Sequence, residues 1–127
     1  MKSDGFRAAA EGKNFSAIED LFAEDATFRS PVVFKPYEGR DTIAMILATV
    51  VEVFEDFRYT DQVETGETAV LVFEARVGDR ELNGVDILRF DADARIKELM
   101  VMARPKSGLQ ALAEAMQARL AAATGSG

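Results

Sequence analysis

The spacing of hydrophobic residues changes near the middle of the chain. In the first half the apolar positions recur every three or four residues, which predicts helices because such positions share one helical face. Two short helices are expected, one over 4–12 and one introduced by Ser16, whose partner Glu19 would complete a capping box. Asp41 is then a suitable N-cap for a longer helix that should run to about Glu55. The apolar residues of these helices are Phe6, Ala9 and Ala10, then Ile18, Leu21 and Phe22, and finally Ile43, Ile46, Leu47, Val50 and Phe54.

In the second half the apolar positions alternate, which predicts strands with one buried face. Four strands are expected, over 57–63, 69–77, 81–90 and 96–104, separated by short polar turns, which indicates an antiparallel meander. Ser107 is the predicted N-cap of a final amphipathic helix, whose apolar stripe comprises Leu109, Leu112, Ala113, Met116 and Leu120. Helices followed by a sheet and a closing helix indicate one α+β domain over 1–123, with a flexible tail over 124–127.

The amino-acid composition limits the kinds of catalytic and metal-binding residue that the protein can use. The 127 residues, 48% of them hydrophobic, suffice for one globular core without metal or disulfide support. The chain has no cysteine and no histidine, so thiolate nucleophiles, imidazole bases and thiolate metal sites are excluded. Acid–base chemistry would fall to carboxylates, Tyr or Lys. A net charge of −7 disfavours nucleic-acid binding, because phosphates are neutralised by Lys and Arg.

The sequence contains no segment with the character of a membrane span or a signal peptide. The longest apolar run, Met45 to Val51, is far shorter than the roughly 20 residues that a span needs, and Glu52 follows it at once. Residues 1–13 contain no apolar core of signal-peptide length. These features favour a cytoplasmic protein with no membrane partner. No carboxylates stand at metal-ligand spacing, and we expect neither a metal nor another cofactor.

One acidic residue stands among apolar neighbours in the third predicted strand. Asp86 shares a strand face with Leu88 and Phe90, whereas Ile87 and Arg89 point the other way. If that face lines the interior, desolvation should raise the pKa of the Asp86 carboxyl and allow it to donate or shuttle a proton near neutral pH. The alternative is structural: Asp86 would pair with an arginine or accept backbone hydrogen bonds near the rim.

Three stretches of the chain resemble a known superfamily. They are Leu21-Phe-Ala-Glu-Asp-Ala-Thr-Phe-Arg-Ser-Pro-Val32, Pro36-Tyr-Glu-Gly-Arg-Asp41, and Val85-Asp-Ile-Leu-Arg-Phe90 with the Arg95-Ile-Lys-Glu-Leu99 that follows. In this order, over roughly Phe6 to Arg104, they are similar to the nuclear transport factor 2-like superfamily, which includes SnoaL-like polyketide cyclases, ketosteroid isomerase and limonene epoxide hydrolase. The resemblance implies a cone, in which a curved antiparallel sheet wraps around a long helix to form a cystatin-like α+β barrel with a pocket at its open end. It also implies a homodimer.

Residue by residue, the resemblance to ketosteroid isomerase is incomplete. Asp86 falls on that family's protonated oxyanion-hole aspartate, within a similar Asp-x-x-Arg-Phe run. The family's general-base aspartate falls on Ser30, whose hydroxyl cannot accept a proton unaided at neutral pH. The oxyanion tyrosine falls on Phe6, and a supporting tyrosine falls on about Leu47. Steroid-type isomerisation by that family's mechanism is therefore disfavoured.

Of the two other mechanisms in the superfamily, the cyclase mechanism fits this sequence better than the epoxide-hydrolase mechanism. Epoxide hydrolases need two aspartates bridged by an arginine, whereas Glu74 and Arg76 are better explained as the solvated outer face of their strand. Cyclase-like chemistry needs one acid in an apolar pocket, which Asp86 could provide. We expect either a cofactor-independent isomerase or cyclase-type enzyme acting on an apolar carbonyl compound, or a noncatalytic ligand-binding or dimerisation module with a vestigial pocket.

The wall of the pocket is predicted from the residues that share the inward strand and helix faces. Tyr37 and Tyr59 could hold a substrate oxygen or place their hydroxyls in water at the mouth. Arg29 and Arg104 are candidate partners of Asp86 or of an anionic ligand. The predicted ligand-binding residues are Ser30, Phe34, Tyr37, Phe54, Tyr59, Phe73, Leu88, Leu99 and Val101, and Phe28, Ile46 and Val50 lie on the same faces.

The last predicted strand is apolar on both faces. Leu99, Val101 and Ala103 would line the cone, so Met100 and Met102 would lie on the outer sheet face and need cover. A symmetric homodimer through this face is the expected solution. The alternative is that the C-terminal helix folds over the same face within one chain.

Two small residues carry local expectations. Ala94 stands in a turn where relatives commonly have Gly, so a positive φ at this position would be strained. Gly84, two residues before Asp86, suggests a bulge or a sharp bend that lets the sheet curl around the pocket.

Overall fold

The helices and strands follow the predicted order, with two additional strands in the N-terminal third. A computed structural model describes the backbone of residues 1–125 and the side chains of residues 1–122. The elements are α1 (Asp4–Glu11), α2 (Ile18–Leu21), β1 (Phe22–Arg29), β2 (Tyr37–Glu38), α3 (Arg40–Val53), β3 (Glu55–Thr65), β4 (Thr68–Val77), β5 (Arg80–Phe90), β6 (Ile96–Arg104) and α4 (Lys106–Gly125). The flexible tail predicted over 124–127 thus overlaps the end of α4, and its last two residues lie outside the described residues.

The six strands form one curved, unclosed sheet in the order β2-β1-β6-β5-β4-β3. The predicted meander is confirmed, because β3, β4, β5 and β6 pair antiparallel with their neighbours in sequence. Strand β1 pairs with β6 in parallel, with Phe28 beside Leu99 and Arg29 beside Met100. The α+β fold is confirmed, but the expectation of a wholly antiparallel sheet is wrong at this pair. A parallel neighbour needs a long connection, and here α3 and the meander provide it.

Strand β1 lacks the alternation that reveals the later strands. Phe22 and Ala23 are both buried and the next two residues are both exposed, before alternation resumes at Ala26. The pairing with β6 shifts its register between Phe22 and Thr27, which accounts for the interruption. Because alternation is interrupted here, the spacing of Ile18, Leu21 and Phe22 predicts one helical face. The helix ends at Leu21, and Phe22 is the first residue of β1.

The three predicted side-chain caps are wrong. Helix α2 follows Ala17, whereas the backbone N–H of Ser16 donates to Asn14 Oδ1. Helix α3 begins one residue before Asp41, after Gly39. Helix α4 likewise begins one residue before Ser107. At α3 the carbonyl of Gly39 accepts the first helical hydrogen bond, so the backbone conformation of the glycine, with φ of 96°, determines where the helix begins.

Helices α3 and α4 both cover the concave side of the sheet. Helix α3 buries Ile43, Ile46 and Leu47, and α4 buries Leu112. Close packing of α4 depends on Gly108, because an added Cβ there would lie 2.6 Å from the carbonyl oxygen of β5 residue Glu81. Among residues 1–125, no helix combines the length and apolar character that crossing a bilayer requires.

The two small residues behave differently from each other. Ala94 has φ of 62°, so the turn places an alanine in the left-handed region. Gly84 marks no bulge, because β5 pairs continuously with β4 and β6 at this point. Instead, a Cβ at Gly84 would clash with the carbonyl oxygen of Met102 and crowd the ring of Phe73. The glycine is needed for close approach of backbone and ring beside the cavity.

Candidate active site

A cavity of about 80 Å³ lies between the concave face of the sheet and the helices. Strands β1, β3, β4, β5 and β6, helices α1, α3 and α4, and the loop after β1 all contribute to its wall. The wall is almost entirely apolar. The polar side chains on it are those of Ser30, Tyr59 and Asp86.

Asp86 lies near the middle of β5 and points into this cavity. Its register partners are Leu71 on β4 and Val101 on β6, and its own exposure is 6%. The hydroxyl of Tyr59 donates a hydrogen bond of 2.5 Å to Asp86 Oδ2. Among the described residues no other hydrogen bond reaches the carboxyl group, so Oδ1 is available to a ligand. Alternation along β5 placed Asp86 on this face as expected.

Burial raises the pKa of the Asp86 carboxyl from an ordinary 3.8 to about 7, although the Tyr59 hydrogen bond works in the opposite direction. Burial also raises the pKa of the Tyr59 hydroxyl, and the nearby Asp86 raises it further. The phenol therefore remains protonated while the carboxyl exchanges its proton near neutral pH. A carboxyl of this kind can donate a proton to a ligand oxygen or take one up.

The position of Tyr59 depends on an irregularity in β3. The β3–β4 register shifts between Tyr59 and Asp61, which is typical of a bulge that redirects a side chain. The ring of Phe57 packs edge-on at 4.9 Å from the Tyr59 ring, and the guanidinium carbon of Arg7 lies 5.8 Å from the same ring centroid. Arg7 itself donates to Gln62 Oε1 at 2.9 Å. These contacts hold the phenol against Asp86.

Seven of the residues singled out from the sequence lie on the cavity wall. The set comprises Ser30, Phe54, Tyr59, Phe73, Asp86, Leu99 and Val101. Phe28, Ile46 and Val50, which share their faces, also line it. The structure thus brings the candidate acid and most of the predicted wall together, and the ligand-binding role of these residues stays a prediction.

Three predicted wall residues lie elsewhere. Phe34 is 98% exposed, because the loop between Pro31 and Pro36 leaves the sheet and strand alternation no longer applies. Tyr37 belongs to the two-residue edge strand β2 and stacks on Phe28 with ring centroids 6.1 Å apart, away from the wall. Leu88 faces inward as predicted but is fully buried in the core.

The arginines considered as partners of Asp86 have other partners. Arg29 lies 3.6 Å from Glu98, and Arg104 donates to Asn83 at 3.2 Å. The alternative in which Asp86 pairs with an arginine is therefore wrong, because the inner face supplies the Tyr59 phenol instead. In the described part of the chain, no three acidic side chains converge closely enough to hold a metal ion.

Several residues of the cavity wall could not be predicted from strand alternation, because they lie in a loop or on a helix. Pro31 and Val32 come from the loop after β1, and Leu112 and Met116 come from α4. The last two belong to the apolar stripe of the predicted C-terminal helix, but the stripe alone does not say which surface it covers. The remaining wall residues are Phe6, Ala10, Phe15, Leu47, Val51 and Phe57.

The chain is similar to known proteins in sequence and in fold. The model of the SnoaL-like domain matches residues 4–99. The chain belongs to the SnoaL-like domain family. With it the chain belongs to the nuclear transport factor 2-like superfamily. The matched range includes Ser30, Tyr59 and Asp86, whereas α4, which adds Leu112 and Met116 to the wall, lies beyond it.

Solved structures of similar proteins cover nearly the whole SnoaL-like chain. A steroid delta-isomerase from Pseudomonas aeruginosa is 47% identical, with a TM-score of 0.91, over 95% of this chain and 90% of that one. An uncharacterised bacterial protein with a cystatin-like fold from Silicibacter pomeroyi is 33% identical, with a TM-score of 0.86, over 90% of this chain and 81% of that one.

An NTF2-like protein of unknown function from Mesorhizobium loti shares the fold at 17% identity, with a TM-score of 0.74, over 82% of this chain and 88% of that one. No curated protein matches the chain.

Proposed function

We propose that this SnoaL-like protein is a cofactor-independent isomerase or cyclase-type enzyme that binds a small apolar carbonyl compound and uses Asp86 as its acid. The observation that carries the proposal is the hydrogen-bonded pair of Asp86 and Tyr59 on an otherwise apolar cavity wall. An isomerase assignment also agrees with the 47% identical steroid delta-isomerase of Pseudomonas aeruginosa.

The size of the cavity limits the ligand. A volume of about 80 Å³ is far below the roughly 300–1,000 Å³ of sites that enclose drug-sized molecules. A cavity of this volume favours a small ligand over a steroid. We therefore propose a compound with a single ring or a short chain, and the steroid named for the relative is not carried over.

In the proposed reaction, neutral Asp86 gives its proton from Oδ1 to the carbonyl oxygen of the ligand. In an isomerisation, the resulting carboxylate takes a proton from a carbon next to the carbonyl group, which leaves an enol and regenerates the acid. The reverse sequence returns the proton to a different carbon, so the double bond moves and no net proton is consumed. In a cyclisation, the enol carbon of a second carbonyl group attacks the carbonyl carbon while Asp86 protonates the carbonyl oxygen. The C=O π bond becomes a C–OH bond, and the enol hydroxyl returns its proton to the Asp86 carboxylate.

Tyr59 has a supporting role in this scheme. Its hydroxyl donates to Oδ2 and so stabilises the carboxylate at the moment when Asp86 has given up its proton. Without that bond the carboxyl would hold its proton more tightly. Ser30 stands where the general base of ketosteroid isomerase would fall, so Asp86 must serve in both proton transfers.

The test uses small β,γ-unsaturated cyclic ketones, whose conversion to the conjugated isomer is followed by ultraviolet absorbance. We expect wild-type protein to catalyse the conversion, and Asp86→Asn to lower kcat/KM by at least about 100-fold, since general acid–base catalysis contributes roughly that factor or more. Glu74→Gln, on the outer face of β4, is the control and should retain full activity.

Full activity in Asp86→Asn would rule out the acid role. If the wild type binds the ketones in a manner that depends on Asp86 but converts none of them, the noncatalytic ligand-binding alternative is correct. Binding is measured by chemical-shift perturbation in the same samples, so the two results are separable.

We also propose that the protein forms a homodimer through the outer sheet face. The register places Val72, Val85 and Met102 in one row across this face, and Val70, Ile87 and Met100 in the next. These six residues are named the outer stripe. Helix α4 lines the cavity on the opposite side of the sheet, and Met102 is 49% exposed.

Charged residues flank the outer stripe, as at the polar rim of an interface. On one side Glu98 lies 3.5 Å from Arg89, and on the other Arg58 lies 2.7 Å from Glu74. An apolar centre with paired charges at its edges is suited to a self-complementary contact between two copies.

A further inference from the structure

Ser30 and Asp86 stand on either side of Val101 on the cavity wall. Asp86 pairs directly with Val101 across β5 and β6. The parallel register of β1 and β6 pairs Arg29 with Met100, which brings the next residue, Ser30, beside Val101. Both polar residues line the same cavity. Two strand spacings therefore separate their backbones, a distance of about 10 Å.

The hydroxyl group of Ser30 can still donate a hydrogen bond. Its Oγ already accepts a hydrogen bond of 3.0 Å from the backbone N–H of Val32. Among the described residues no acceptor receives the hydroxyl proton. A half-buried serine in this state is suited to donate to an oxygen inside the cavity.

We infer that Ser30 is a second hydrogen-bonding point for the ligand, and that the ligand is a neutral ring compound with two oxygen functions, one held by Asp86 and one by Ser30. The inference rests on the proposed function and names its substrate class. Two hydrogen bonds of about 2.8 Å and a six-membered ring with an oxygen at each end are comparable in length with this backbone separation. The ring carbons then pack on Val101.

The surroundings argue for neutral oxygens rather than charged ones. The cavity wall contains no Lys or Arg within the described residues, so a carboxylate or phosphate would enter without a counter-ion. A second carbonyl or an ether oxygen avoids this cost. Cyclic diketones are the simplest members of the class.

The test compares two rings of the same shape, cyclohexanone and 1,4-cyclohexanedione, by chemical-shift titration. We expect the dione to bind the wild type about tenfold more tightly than the monoketone. Ser30→Ala should abolish this advantage, so that the two rings bind the variant with equal affinity. Ser30→Thr, which retains the hydroxyl, should keep the preference.

Each other result overturns the inference in a recognisable way. If Ser30→Ala weakens both rings equally, or neither, Ser30 serves only to hold the turn at Val32. If Asp86→Asn has no effect on cyclohexanone binding, or if neither ring binds, the proposed function fails as well. A loss at Asp86 without a loss at Ser30 defeats this inference alone.

Discussion

The orientation of Asp86 and the direction of its pKa shift both follow from its position in a strand. Strand alternation alone places its carboxyl on the inner face, and burial there accounts for the raised pKa. The hydrogen-bond partner of Asp86 does not follow from strand alternation. Tyr59 lies two strands away, and the pairing of β3, β4 and β5 together with a bulge brings its hydroxyl to the carboxyl.

The raised pKa of Asp86 makes the stability of the fold depend on pH. The folded protein binds the Asp86 proton more tightly than the unfolded chain, so stability falls as pH rises from about 4 through 7. We expect the free energy of unfolding of the wild type, relative to Asp86→Asn, to fall by about 2–3 kcal/mol between pH 5 and pH 8. Urea denaturation of both proteins at these pH values measures the difference.

Tyr59→Phe is the companion variant for this measurement. Loss of the phenol hydroxyl removes the interaction that favours the carboxylate, so the pKa of Asp86 should rise above that of the wild type. The decline in stability should then extend to higher pH. A difference between wild type and Asp86→Asn that stays constant with pH would show that Asp86 titrates normally.

The turn between β5 and β6 is determined by interactions among residues close in sequence. The β5–β6 turn is held by Asp91, whose Oδ1 accepts hydrogen bonds from the backbone of Asp93 and Arg95. Ala94 completes it with φ of 62°. Residues outside glycine adopt this conformation at a cost of roughly 1 kcal/mol. Sequence and structure agree here because the interactions span only five residues.

Ala94→Gly should therefore stabilise the protein by about 0.5–1 kcal/mol, as the strain is relieved. Ala92→Gly, in the same turn but without a positive φ, is the control and should have no effect or destabilise. Urea denaturation measures both. Equal effects of the two changes would mean that the left-handed conformation of Ala94 carries no strain.

At the scale of the whole molecule, the proposed dimer depends on the balance between net charge and apolar burial at the outer stripe. Each chain carries a net charge of −7, so two copies repel one another at long range. Association must then come from apolar burial, and it should strengthen with added salt. Light scattering at micromolar concentration should give twice the chain mass of 13.9 kDa.

Met102→Lys should return the mass to that of one chain, because a lysine would be buried within the apolar contact. Met45→Lys is the matched control: Met45 is 54% exposed on α3, away from the outer stripe, and the variant should remain dimeric. A wild-type mass near 13.9 kDa would contradict the dimer.

The sequence by itself determined the features that depend on short separations. Apolar spacing specified the helices and the four-stranded meander, and alternation put Asp86, Phe73 and Val101 on the inner face. Absence of cysteine and histidine restricted acid–base chemistry to carboxyl, phenol and amine groups.

Only the tertiary structure decided what depends on contacts between distant segments. These are the parallel pairing of β1 with β6, the Tyr59 partner of Asp86, the exposure of Phe34, and the side of the sheet that α4 covers. The physical reason is the same in each case. Periodicity reveals which face of an element is apolar, but the partner of that face is chosen by packing across the whole chain.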